Sequence, residues 1–399
     1  MVPPLDKEIG IDSYYTDGQG CGGSIKSKPD DFVVSEIISD AIHKSIKEEG
    51  EYAVYSLSKR GVDTAHCIYD VYRRCRVRLK ALGLKDSKAY TTQYVCATSK
   101  RANVTELHTD RYDLVLLGYV KRPLTKKAMI GNHFVVTIKD LQNPPDKSTN
   151  YDMVPNHYGY QRFGSRRPFT HLIGRAILHG DYNSAIHLIL YEESIHDTPQ
   201  ATDTRRRLAD ATTHTERLSI LPNSMDIERT VLKSLHESNH DHRTAIASLP
   251  LYLRRLYVQA YQSYIFNLTL STAISEGYNI QGPTSGDVCF DVHGKLGKYD
   301  EYSSQMLAIP TVGYAYYKKT RFHSILSDIM SREGIAPKDF YIKQMQELSL
   351  EGGFRQATIS CKDYAIHDEQ VSFTLSRGSF ATMILREIIK PTDPIRAGF

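Results

Sequence analysis

A chain of 399 residues exceeds what one small core organises, so two domains are expected. With 41% hydrophobic and 24% charged residues and a net charge of +4, it has the composition of an ordinary globular protein, and no apolar run approaches the roughly 20 residues of a membrane span. The cysteines (Cys21, Cys67, Cys75, Cys96, Cys289, Cys361) form no Cys-x-x-Cys pair and the start shows no secretory signal, which argues against a zinc knuckle or disulfide framework and for reduced thiols in a cytoplasmic protein.

Pro29-Asp30-Asp31 makes a turn, and Phe32 to Ile37 reads as a strand of β-branched character. Tyr52 to Leu57 reads as its neighbour. Thr64 is placed to cap a helix running to about Ala81, with Ile68, Val71, Tyr72, Cys75 and Leu79 at helical spacing and arginines from Arg73 to Arg78 on the remaining surface. Gly83 is expected to end it. A polar loop follows in which Asp86 lies between Lys85 and Lys88, and then strands near 94–98, 113–120 and 134–138. These elements predict an α+β domain with a mixed or antiparallel sheet.

Asn143-Pro144-Pro145-Asp146 breaks the pattern. Residues 154–164 then mix aromatics, amides, Arg and Gly, which suits a pocket for a flat polar ring as well as it suits a packed loop. From about His171 the chain turns helical, with a polar surface stretch from His196 to His242. A long buried helix is predicted from Leu249-Pro250 to about Glu276, with Gly277 beyond its end. His236, His240, Asp241 and His242 read as a frayed helix end in preference to a metal site. Strands return at 354–359 and 371–375, and a Ser cap precedes a helix from Ala381 to Ile389. This tail is expected to rejoin the N-terminal domain, leaving the helical middle as an insertion.

Between Val71 and Ala128 fourteen Lys or Arg face four acids. Such a surface attracts polyanions, and 27 Tyr with 12 Phe offer faces for unpaired bases, which points to RNA. No phosphate-loop or dinucleotide fingerprint is present. Asp86 alone is ambiguous: most Asp residues in such turns accept backbone hydrogen bonds, while one held beside cations can serve as a nucleophile.

Five segments in order resemble the TruD family of tRNA pseudouridine synthases. They are Lys26-Ser-Lys-Pro-Asp-Asp-Phe32-Val-Val-Ser-Glu36, Gly83-Leu-Lys-Asp86-Ser-Lys-Ala-Tyr-Thr-Thr-Gln93, Pro155-Asn156-His-Tyr158-Gly-Tyr-Gln-Arg-Phe-Gly164, Tyr261-Gln-Ser-Tyr-Ile-Phe-Asn267 and Gly378-Ser-Phe380-Ala-Thr-Met-Ile-Leu-Arg386-Glu387. The resemblance implies a discontinuous catalytic core over 1–170 and 352–399 and a mostly helical α+β insertion over 171–351. It implies isomerisation of uridine 13 of tRNA with no metal and no organic cofactor, tRNA as partner and no obligate protein partner. Asp86 matches the family's catalytic aspartate. Phe32, Asn156 and Phe380 match positions lining the target-base pocket, Tyr158 stands where bacterial members usually carry Phe, and Lys26 matches a family lysine near the active site. On this reading the uridine leaves its stack, Phe32, Tyr158 and Phe380 hold its ring, and Asn156 reads its polar edge. Lys26, Lys85 or Lys88 would supply the cation beside Asp86. Arg162, Arg355 and Arg386 are candidates for phosphate or for core carboxylates. The rival readings are a structured-RNA-binding protein without chemistry, and a base-excising hydrolase that pairs Asp86 with Glu36 or Asp31.

Overall fold

The computed structural model of the chain describes residues 2–100, 102, 104–164 and 166–399. Arg101, counted in the basic stretch, lies outside them. The chain divides into two compact units: residues 15–154 with 359–398, and residues 1–14 with 155–358 and 399. In this division residues 1–14, 155–170 and 352–358, expected in the catalytic core, group with the helical middle.

The first unit is built on a mixed sheet. Its strands are β1 (Phe32–Ile38), β2 (Tyr52–Arg60), β3 (Leu79–Ala81), β4 (Tyr90–Ala97), β5 (Glu106–His108), β6 (Tyr112–Val120), β7 (Met129–Thr137) and the C-terminal hairpin Cys361–His367 and Gln370–Ser376. From the hairpin edge the order is Cys361–His367, Gln370–Ser376, β7, β1, β4, β2, β6, β5, with β3 paired to β4. β1 pairs in parallel with β4 and antiparallel with β7. β2 pairs with β4 and β6, so it is not the neighbour of β1 that the sequence suggested. A parallel pair needs a long connection, and here β2, a helix and β3 supply it. The tail does rejoin this sheet: Val371, Phe373 and Leu375 face Val136, Phe134 and Asn132 of β7.

The helix after β2 spans Thr64–Cys75 and is shorter than expected. Asp63, not Thr64, caps it, its carboxylate accepting from the His66 N–H. Arg76 then turns left-handed, with φ 57°, and its N–H closes on the Tyr72 carbonyl. That turn frees Leu79 to enter β3. The buried face of the helix, Cys67 and Val71, packs with Tyr55, Leu57, Val95 and Leu114 of the sheet. At the C-terminus the helix Ala381–Ile389 is as predicted, but its N-cap is Phe380. Ser379, the expected cap, instead closes the preceding turn by donating its N–H to the Ser376 carbonyl.

The second unit is dominated by the helix Leu251–Ser275, which starts after Pro250 and is followed by Gly277 with φ 78°. Residues on most of its circumference are buried, as its sequence indicates. The helix Thr170–Leu178 lies against it so closely that a Cβ on Gly174 would stand 2.0 Å from the Tyr257 carbonyl oxygen. Ile177, Ile186, Leu190, Leu208, Val231, Leu232, Ile246 and Val258 form the core of this helical assembly. A small sheet orders Leu296–Lys298, Val288–Phe290, Met306–Thr311 and Gly353–Gln356. The helix Asp226–Glu237 ends at His236-Glu237, and Asn239 and His240 take left-handed φ values of 52° and 65°. Among the described residues no group of three or more His, Cys, Asp or Glu is placed to hold a metal ion. No described helix is long and apolar enough to cross a membrane.

Candidate active site

Asp86 stands on the loop between β3 and β4, its side chain 47% exposed. The Lys26 ammonium, on a side chain only 5% exposed, lies 3.6 Å from its Oδ2. Burial pulls Lys26 below its usual range and Asp86 pulls it back up. The same ammonium sits 4.8 Å from the centre of the Phe32 ring. Phe32 is buried edge-on to Phe134, which in turn stacks on Phe373. Lys26 holds a left-handed backbone, φ 58°, which a lysine does not choose unaided. Its flank is tied down: Ser24 exchanges backbone hydrogen bonds with Lys139, and Ile25 N–H donates to Ala397. The structure therefore brings Lys26, Phe32 and Asp86 together.

What fixes the loop is a row of polar side chains on one face of the sheet. Alternate residues of β1 are buried, which turns Glu36 inward with Phe32 and Val34. The same alternation turns Lys59 inward with Tyr55 and Leu57 on β2, and Gln93 inward with Thr91 and Val95 on β4. Glu36 faces Asn132 across β7, and Lys59 faces Thr91 across β4. On this row the loop is clamped at successive residues. Gln93 Nε2 donates to the Gly83 carbonyl at 2.9 Å. The Thr64 hydroxyl accepts from the Lys85 N–H at 3.0 Å and donates to Gln93 Oε1 at 2.8 Å. Lys85 Nζ reaches Glu36 Oε1 at 3.1 Å and Asn132 Oδ1 at 2.5 Å. Lys59 Nζ donates to the Asp86 carbonyl at 2.7 Å and the Val62 carbonyl at 2.9 Å.

Several expectations are settled by these contacts. Of the three candidate cations, Lys26 pairs with Asp86, whereas Lys85 is spent on Glu36. Lys88 is exposed. Glu36 is buried, and that burial pushes its carboxyl up against the pull of Lys85 and the Tyr94 N–H. Asp31 accepts from the Lys28 N–H in the turn before β1. Glu36 is thus paired with Lys85, and Asp31 is held by its own turn. Arg386 is buried and pairs with Glu387, which also accepts from Tyr15 and Thr16, so this arginine serves the core. Phe380 begins the C-terminal helix of the same unit.

Asn156 and Tyr158 belong to the second unit. Asn156 is buried, and its amide is engaged at both ends: Nδ2 donates to the Gln356 carbonyl at 3.0 Å, and Oδ1 accepts from Arg355 Nη2 at 2.6 Å. Arg355 Nε donates to the Asn156 carbonyl as well, at 2.9 Å. The Arg355 guanidinium lies 4.0 Å from the centre of the Tyr158 ring, with Arg162 at 5.5 Å. Burial and the neighbouring Arg162 pull Arg355 below its usual range, but an arginine keeps its proton. The Tyr158 backbone is held by Asn267, whose Oδ1 accepts from its N–H at 2.7 Å and whose Nδ2 donates to its carbonyl at 3.1 Å. Phe266 meets the Tyr158 ring edge-on. Phe266 and Asn267 thus brace Tyr158.

A family model described as tRNA pseudouridine synthase D (TruD) matches residues 8–388. The chain belongs to the TruD family. A Pyrobaculum islandicum protein named "Probable tRNA pseudouridine synthase D" is 31% identical to it over 417 residues, covering 100% of this chain and 99% of the relative. A Methanosarcina mazei protein of the same name is 30% identical over 435 residues, covering 98% of each chain. The crystal structure of the TruD candidate from Methanosarcina mazei matches with a TM-score of 0.79 at 28% identity, covering 99% of both chains. The α+β architecture with its mixed sheet is that of the TruD neighbour. Sequence reasoning on the TruD motifs missed Lys59, Asn132 and the bracing roles of Gln93 and Asn267. The inward phase of β2 and β4 was the available signal for Lys59 and Gln93; nothing local marked Asn132.

Proposed function

We propose that the protein isomerises uridine 13 of tRNA to pseudouridine, with Asp86 as the catalytic carboxylate. The reading rests above all on the buried Lys26 ammonium beside a half-exposed Asp86 in a loop clamped by four strands. The reaction breaks the N1–C1′ bond, turns the uracil and forms a C5–C1′ bond. The C5 proton leaves and N1 gains one, so substrate and product are isomers and neither water nor an oxidant is consumed. A single carboxylate next to sugar and base suffices for this, and Lys26 balances its charge without competing for it, being held against Phe32. Within the first unit, Phe32 and Phe380 are the aromatic side chains that grip the unstacked base, and retention of the detached uracil requires such a grip. Asn156 acts together with Arg355, since its amide already engages that guanidinium. The tRNA is the partner, and the cytoplasm is where the protein meets it.

The test is a map of pseudouridine in an unmodified tRNA transcript after incubation with the native protein. Product at position 13, lost when that uridine is replaced by cytidine, is the expected result. Product confined to another uridine would contradict the assignment of position 13 while leaving the isomerase.

A further inference from the structure

The outer face of the Thr64–Cys75 helix carries a cluster that the chemistry does not use. Tyr72, Arg73 and Arg76 stand three, four and seven residues beyond Tyr69 and so fall on its side of the helix. Tyr69 is 62% exposed. The guanidiniums of Arg76 and Arg78 lie over the Tyr72 ring, 5.8 and 5.4 Å from its centre. The left-handed turn at Arg76 is what folds Arg78 back onto the ring that Arg76 already covers. Arg73, Arg76 and Arg78 are exposed, and among the described residues none forms an ion pair. Arg74 differs: Asp70 takes its guanidinium at 2.7 Å, and Asp70 accepts from the Tyr112 hydroxyl as well. One arginine of the four is structural and three are held forward without a carboxylate.

The helix sets how far this cluster stands from Asp86. Its first residue, Thr64, is the one whose hydroxyl clamps Lys85 in the catalytic loop. Its last, Cys75, adjoins Arg76. At 1.5 Å per residue, Tyr72 stands about 12 Å and Arg76 about 18 Å along the axis from that clamp.

We propose that Arg76 and Arg78, laid over Tyr72, together with the exposed Arg73 next to it in sequence, form a second RNA contact that grips the sugar–phosphate backbone of the substrate one helix length from the reacting uridine. This rests on the tRNA reading above. Arginines pre-ordered on an aromatic ring lose little freedom when they meet phosphate oxygens, and their planar forks suit those oxygens. The contact is sequence-independent, so it serves binding and leaves the chemical step alone.

The experiment titrates an unmodified tRNA transcript into the native protein and into two triple variants, Arg73→Gln/Arg76→Gln/Arg78→Gln and Arg73→Lys/Arg76→Lys/Arg78→Lys, over a range of salt. For the Gln variant the expected result is binding weakened roughly tenfold or more and a slope of log Kd against log salt smaller by about 2 to 3. Its kcat at saturating tRNA stays within about twofold of native, while KM rises with Kd. The Lys variant keeps most of the slope, because the charge is retained. A Gln variant with native Kd and slope would overturn the proposal, as would a fall in kcat with the slope unchanged. If the native protein modifies no tRNA uridine, the function reading fails on its own, and the salt slopes still decide whether this cluster binds RNA.

Discussion

Lys59 is the residue on which the geometry of Asp86 depends most directly. It is 1% exposed, and its ammonium satisfies two backbone carbonyls, one of them that of Asp86. Burial pulls Lys59 down, with nearby Asp86 and Asp63 acting against that pull. Lys59→Met takes the donor from two part-buried carbonyls, at about 1 kcal/mol each. We expect a lower urea midpoint and a kcat reduced roughly 10- to 100-fold, since a shift of the loop of about 1 Å misplaces the carboxylate. Affinity for tRNA should be unchanged; a native kcat in the folded variant would show that the loop keeps its place without this clamp. Arg355 plays the comparable part for Asn156 and Tyr158. Arg355→Lys keeps the charge but cannot make both bonds to Asn156 while lying flat on the Tyr158 ring. A fall of roughly tenfold or more in kcat/KM is expected, with a lower urea midpoint from the bond Asn156 loses; steady-state rates and a urea curve on one preparation check both.

Among the elements, the loop and the helix pair at Gly174 make the strictest demands. The helix Thr170–Leu178 crosses Leu251–Ser275 where Gly174 leaves no room for a methyl group. Gly174→Ala must push backbone from backbone, and overpacking of that kind costs about 1–3 kcal/mol. Chemical denaturation should show a clearly lower midpoint; an unchanged one would mean the helices separate without loss. The elements also explain what was legible beforehand. β1 alternates cleanly and the helices Leu251–Ser275 and Ala381–Ile389 are dense in apolar residues, each flanked by Pro or Gly, so the sequence places them within a few residues. The Thr64 helix was drawn too long because its stop is a left-handed arginine, and no Gly marks the place. Cys361–His367 was missed because its exposed edge position leaves it polar, with a register shift between Lys362 and Ala365. Lys26, Phe32 and Asp86 were legible as a group only through their motifs, since left-handed lysines and strand crossovers leave no pattern in a single sequence.

Across the whole molecule, charge is divided between the interior and the surface. Part of the basic surplus between Val71 and Ala128 is consumed by the fold: Arg74 by Asp70, Lys85 by Glu36 and Lys100 by Glu51. Net charge alone therefore overstates what RNA can reach, and the arginines about Tyr72 are among the cations held outward, as are Lys80, Arg111, Lys121 and Arg122. The interior also holds a histidine that makes stability depend on pH. His171 is buried among Phe163 and Tyr264, and burial pulls it from 6.5 to about 4. The unfolded chain accepts the proton first, so this contribution is complete above pH 6.5 and is lost as pH falls toward 4, amounting to about 3 kcal/mol. The difference in unfolding free energy between the native protein and His171→Phe should change by that amount between pH 7 and pH 4. A constant difference would mean that His171 titrates normally in the folded state.

The central claim is that Asp86 performs the chemistry at uridine 13. The most direct measurement compares pseudouridine formation at that position by the native protein and by Asp86→Asn under single turnover, with tRNA binding measured in parallel. Asn keeps the size and the Lys59 contact, which runs through the Asp86 carbonyl, and gives up the charge that pairs with Lys26. The account predicts product from the native protein, none from the variant, and tRNA affinity within a few-fold of native. Product formed by the variant at a near-native rate would contradict it and remove Asp86 from the reaction.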